Sequence, residues 1–123
     1  IVSYLGALDI SSVSRVLSQI NLLVLPSHNE PYPMIVLEAL STGTPVLIMP
    51  SCGLAESIRE FDETFVATSE TIQGLMESFE RQLDSNFNTK SAASIINYCK
   101  ANHSIEAIAQ ELLLTYEMAD ANV

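Results

Sequence analysis

Glu30 and Glu38 stand with seven residues between them in Glu30-Pro-Tyr-Pro-Met-Ile-Val-Leu-Glu38, and the segment runs on through Ala-Leu-Ser-Thr-Gly-Thr to Pro45. Carboxylates accept hydrogen bonds from sugar hydroxyls, as the acid that holds ribose in dinucleotide sites does. A proline keeps the residue before it out of the helical region, so Glu30 and Tyr32 are expected to be extended. Pro33 fits the first position of a helix, where its missing N–H costs nothing. Gly43 fits the left-handed residue just past the end. The helix is therefore expected over 33–42, with Glu30 in the loop entering it and Glu38 inside it. Amides of Met34 and Ile35 would project from the helix start, where a phosphate can bind.

Glu38 is the only charge in that helix. Met34, Ile35, Val36, Leu37, Ala39 and Leu40 leave no broad wet face, so an ionised carboxylate there needs a partner. Two readings fit. Glu38 meets a ligand, with Glu30 beside it; or Glu38 pairs with an arginine or a backbone amide while Glu30 is a solvated loop residue. His28 reads as a polar residue at the mouth of any such site. Tyr32 has the ring to pack over a base or sugar, although a core position is the plainer reading. Ser27-His28 lies in no nucleophile-elbow motif. Neither the histidines, His28 and His103, nor the cysteines, Cys52 and Cys99, have metal-ligand spacing, so no metal is expected. The cysteines read as free thiols.

The elements that would position these residues follow from periodicity. Apolar runs over 22–25 and 45–49 do not alternate, as in strands buried on both faces of a parallel sheet. Weaker strand-like runs cover 2–5, ended by Gly6, and 65–67. Val13, Val16, Leu17 and Ile20 repeat at helical spacing after the capping candidates Asp9 and Ser11. A short helix is expected over 54–59. Longer ones are expected at about 69–83, 89–101 and 104–119, with breaks at 86–88 and 102–103. Strands alternating with helices, then a helical tail, give an α/β fold with a Rossmann-like parallel sheet flanked by helices. The loop carrying Glu30 follows a strand and opens a helix, which is where open α/β sheets bind ligands.

Composition bounds the rest. A chain of 123 residues is enough for one domain, and 48% apolar residues make it globular rather than disordered. No run is long enough to span a membrane. Fifteen acids against five scattered bases leave a formal charge of −10 and no basic stripe, which excludes nucleic acid as a partner. The acids of 69–84 and 104–117 read as solvated helix faces. No GxGxxG or P-loop is present, which disfavours other doubly wound nucleotide binders.

At these residues the sequence resembles glycosyltransferase family 4, retaining enzymes of the GT-B fold. Val2-Ser-Tyr-Leu-Gly6 resembles that family's strand ending in glycine, and Leu23-Val-Leu-Pro-Ser27 its "vlPS" strand. Glu30 to Pro45 matches its E-x7-E segment with the following "GTPV", and Cys52-Gly-Leu-Ala-Glu-Ser-Ile58 resembles its "GGxxE-x-I" turn. His103-Ser-Ile-Glu to Tyr116-Glu117 resembles its closing helix. The resemblance implies that residues 1–123 are a single partial domain, the C-terminal half of the nucleotide-sugar-binding domain. It implies that Glu30 stands by the donor sugar, the catalytic position, that Glu38 accepts from ribose hydroxyls, and that Met34 and Ile35 amides hold the diphosphate or sugar. Tyr32 and His28 would complete the donor site.

The parent would transfer a sugar from a nucleoside-diphosphate donor to a saccharide or lipid acceptor, with retention and without a cofactor. The family's acceptor-binding domain and early Arg/Lys pair are not in this sequence, and none of the five bases is expected to lie near the Glu30–Glu38 segment. The piece alone is therefore expected to be inactive. Ser51-Cys52 replaces the start of the family's glycine pair, and the Gly53–Glu56 turn reads as structural. The expected location is the cytoplasm, with the parent at most peripheral to a membrane. A truncated sheet would expose an apolar edge, which leads to an expected homo-oligomer. The alternative is a non-catalytic interaction or assembly module that keeps the fold.

Overall fold

The computed structural model describes residues 1–84 and 90–122. Its elements run α1 (Ile10–Leu17), β1 (Leu23–Leu25), α2 (Met34–Ser41), β2 (Val46–Ile48), α3 (Ala55–Phe61), α4 (Ile72–Leu83), α5 (Ala92–His103) and α6 (Ile105–Asp120), with a 3-10 turn over Glu63–Phe65 before α4. β1 and β2 pair in parallel, with Leu23 opposite Val46 and Leu25 opposite Ile48. The α/β class and the parallel sheet with a helical tail are as the sequence predicts.

Side chains alternate across the pair, as the pleat requires. Leu23, Leu25, Val46 and Ile48 face the main core, where they meet Leu17 of α1, Val36, Ala39 and Leu40 of α2, Ala55 and Ile58 of α3, and Ile95 of α5. Leu22, Val24, Leu47 and Met49 face the other way, against Ala67 and Leu75. Phe65 is fully buried in the main core. Beside it Phe61 stacks on Tyr98 with centroids 4.3 Å apart. The Tyr98 hydroxyl also bonds to Ser57 Oγ at 2.6 Å, which ties α3 to α5.

Two expected strands are corrected. Residues 2–5 form none: all of 1–10 is exposed, and a run with no neighbour to bond cannot be a strand. Residues 65–67 contribute a single parallel bridge, Ile48 to Val66, because the chain leaves the 3-10 turn only at Phe65. The break expected at 102–103 falls one residue later, at Ser104, which ends α5 and caps α6. The break expected at 86–88, and residue 89 of the helix after it, lie outside the described residues.

Helix ends show how the chain sets its own boundaries. Asp9, Thr71, Ser91 and Ser104 each accept a hydrogen bond from an amide in the first turn of α1, α4, α5 and α6. At the far end of α2, Gly43 takes φ +81°, and amides of Gly43 and Thr44 return to the carbonyls of Leu40 and Ala39. This is the glycine termination expected there. A side chain at Gly43 would press on Ala92 of α5. Thr44 is buried, and its hydroxyl donates to the Leu17 carbonyl at 2.7 Å, which fixes α1 against the end of α2. α6 buries none of its residues. No described helix is long and apolar enough to cross a membrane.

Candidate functional site

Three loops leave the carboxyl ends of the parallel segments on one edge of the sheet: 26–33 after β1, 49–54 after β2, and 67–71 after the Val66 bridge. The first two run into α2 and α3. Those are the two described helices whose starts receive no side-chain cap, because Pro33 and Leu54 occupy the cap positions. Pro33 is thus the residue before the first turn rather than its first member, and with ψ 107° it is extended. α3 carries Glu56 in its first turn, which answers the positive end of the helix dipole. α2 has no acid in its first turn. Val36 N–H returns to the Pro33 carbonyl at 3.1 Å, so Met34 and Ile35 supply the amides that project from the helix start.

Glu30 is half-buried in the loop that enters α2. Its carbonyl accepts the Gly53 amide at 2.8 Å. A Cβ at Gly53 would overlap the Pro31 carbonyl, so the two loops approach as closely as they do only because residue 53 is glycine. This is the structural role that the sequence suggests for the 53–56 turn. Asn29, just before Glu30, has φ +54°, a left-handed conformation that asparagine tolerates. Its amide donates to Ser51 Oγ at 2.9 Å.

Glu38 overturns the expectation that it is enclosed. It is exposed, on a stripe with Met34 and Ser41, spaced four and three residues apart. Val36, Ala39 and Leu40 are the face that is buried. Met34 is apolar but 60% exposed, and it conceals the wet stripe from a reading based on residue type. An exposed carboxylate is hydrated, so burial does not require Glu38 to have a ligand. Tyr32 is likewise outside the core, at 44% exposure. His28 is exposed in the loop that follows β1. Ile35 is half-buried against the main core.

The Met34–Glu38–Ser41 stripe forms one wall of a groove of about 320 Å³, whose other wall is α5, with Ile96, Cys99, Lys100 and His103. Lys100 corrects the expectation that no base lies near this segment. It is distant in sequence and reaches the groove because α5 packs on α2. Burial pushes the His103 ring below its usual value, so it is neutral at pH 7, and Tyr98 bonds to its Nε2 at 3.0 Å. Burial also pushes the Cys99 thiol up, which keeps it protonated. Both cysteines are free, as the sequence predicts.

Sequence reading missed the contacts of Glu70. It counted this acid among solvated faces, whereas its carboxylate accepts His28 Nδ1–H at 2.7 Å, the Ser51 hydroxyl at 3.1 Å and the Ser51 amide. Desolvation acts to raise the Glu70 pKa, but the bonds from His28 and Ser51 outweigh it and hold the carboxyl below its usual range. One signal was available: Ser51 and Glu70 follow two runs that read as parallel strands, and loops after parallel strands gather at one edge. Among the described residues no group of three or more His, Cys, Asp or Glu side chains is placed to hold a metal.

The family model described as glycosyl transferases group 1 matches residues 2–102. That range holds four of the five segments quoted above and stops before the closing helix. Glycogen synthases of Mycobacterium tuberculosis, from strains CDC 1551 / Oshkosh and ATCC 25618 / H37Rv, are each 30% identical over 81 residues. The aligned stretch is 66% of this chain and 20% of each relative, so the chain spans about a fifth of the length of the curated relatives it matches. No solved structure matches the chain. With that family model matched over residues 2–102 of its 123, the chain belongs to the group 1 glycosyl transferases.

Proposed function

We propose that this chain supplies part of the donor site of a retaining glycosyltransferase, of the family 4 kind within group 1, that takes its sugar from a nucleoside diphosphate. The observation that carries the reading is the start of α2. It is uncapped and without an acid in its first turn, and it lies at the sheet edge with Glu30 in the loop before it. Two amides and the helix dipole then favour a phosphate at Met34 and Ile35. Glu30 orients the donor sugar, and Glu38, on the wet stripe one turn further on, accepts from the ribose hydroxyls. Tyr32 and His28 border the sugar or base from the loop.

On this reading the protein acts by positioning and by stabilising the leaving diphosphate, for which prearranged amides are suited. The long-range field is unhelpful, because the chain carries a net charge of −10. Lys100 lines the groove that the α2 stripe forms with α5, which it shares with Glu38. The saccharide or lipid acceptor would be bound by other parts of a longer parent, and these residues alone would not turn over.

Ligand-observed saturation-transfer NMR with UDP-, GDP- and ADP-sugars tests the reading. The chain is expected to transfer saturation to the ribose protons of one donor, and Glu38→Ala to lose that signal. An unchanged ribose signal in Glu38→Ala would remove the ribose contact from Glu38.

A further inference from the structure

We infer that Glu70 is a positioning residue for Glu30, and that it governs how the sugar half of the donor is held; the donor half of this inference rests on the function proposed above. The Ser51 hydroxyl has one hydrogen, and it donates it to Glu70 Oε2, which leaves its lone pairs for the Asn29 amide. The direction of the chain of bonds is thereby fixed: Asn29 N–H to Ser51 O–H to Glu70 carboxylate. Asn29 holds φ +54° at the end of this chain, and the next residue is Glu30. The carbonyl of Glu30 is gripped by the amide of Gly53, two residues after Ser51. Glu70 therefore locks the loop that locks Glu30 on both sides. The Ser51 amide also donates to this carboxylate, and a further bond, from His28 Nδ1–H, draws the start of the Glu30 loop to it.

A stabilising role is the weaker explanation of this network. The His28 and Glu70 side chains are 57% and 40% exposed, and exposed pairs contribute little because water screens them. What the contacts set is geometry. They join all three loops at the carboxyl edge, and they do so beside the acid that the donor reading places at the sugar. Glu38, carried on α2 itself, has no part in the network, so the ribose end of the site is independent of it.

The experiment compares the 15N-labelled chain with Glu70→Ala. Without ligand, the Asn29 amide shift and its HN–Hα coupling are expected to leave their left-handed values in the variant, while Val36 and Ala39 amides stay fixed. An unchanged Asn29 would overturn the inference whether or not donor binds. With the donor that the wild-type chain binds, saturation transfer to the sugar protons is expected to fall relative to the ribose protons in Glu70→Ala. A proportional fall at both, or none at either, would overturn the donor half and leave the proposed function standing. No transfer to any donor in the wild-type chain would overturn that function itself, and the donor half with it.

Discussion

The two faces of the β1–β2 pair are made of the same kinds of side chain and are covered very differently. Toward the main core, Val46 and Ile48 meet residues from α1, α2, α3 and α5 together with Phe65. Toward the other side, among the described residues, Leu47 and Met49 pack with the apolar side chains of Ala67, Leu22, Val24 and, from α4, Leu75. The strands read from sequence as buried on both faces, and in β2 they are. The difference lies in depth: one face is closed by a layer of helices, the other by a thin cover. The site loops sit at the edge where the thick layer begins. α2 serves both, with one side in the core and the other along the groove.

That comparison can be broken by truncation on each side, read from urea unfolding. Phe65→Ala removes a ring that is wholly enclosed by the thick layer, and should cost about 3–5 kcal/mol, a large part of the stability of a small domain. Leu75→Ala removes a half-buried side chain from the thin cover, and should cost on the order of 1 kcal/mol. Equal losses would mean that the second face is as well packed as the first, and that the asymmetry described above has no energetic weight.

The parts legible in the sequence were those set by neighbours along the chain. The strands at β1 and β2 follow from apolar runs, the end of α2 from Gly43, and the start of α1 from Asp9, whose carboxylate accepts the Ser12 amide. What the sequence did not reveal depends on partners distant along the chain. Residues 2–5 have strand-forming side chains and no strand to pair with. Glu38 is wet because Met34 and Ser41 share its side of the helix, which residue type alone does not reveal. Lys100 reaches the groove through the packing of α5 on α2. Glu70 reaches His28 and Ser51 because three loops converge on one edge, and its position among other acids of a helical region hid that. In each case the local signal was present and the missing information was which surface another segment would occupy.

The central claim is that the uncapped start of α2 holds the phosphates of a nucleotide sugar. The most direct test is a titration of the 15N-labelled chain with UDP-, GDP- and ADP-sugars, followed at the backbone amides. The account predicts that, with one of the three, the Met34 and Ile35 amides shift earliest and furthest, as amides do when they begin to bond an anion. Shifts centred on another element, or none in a chain shown to be folded, would contradict it.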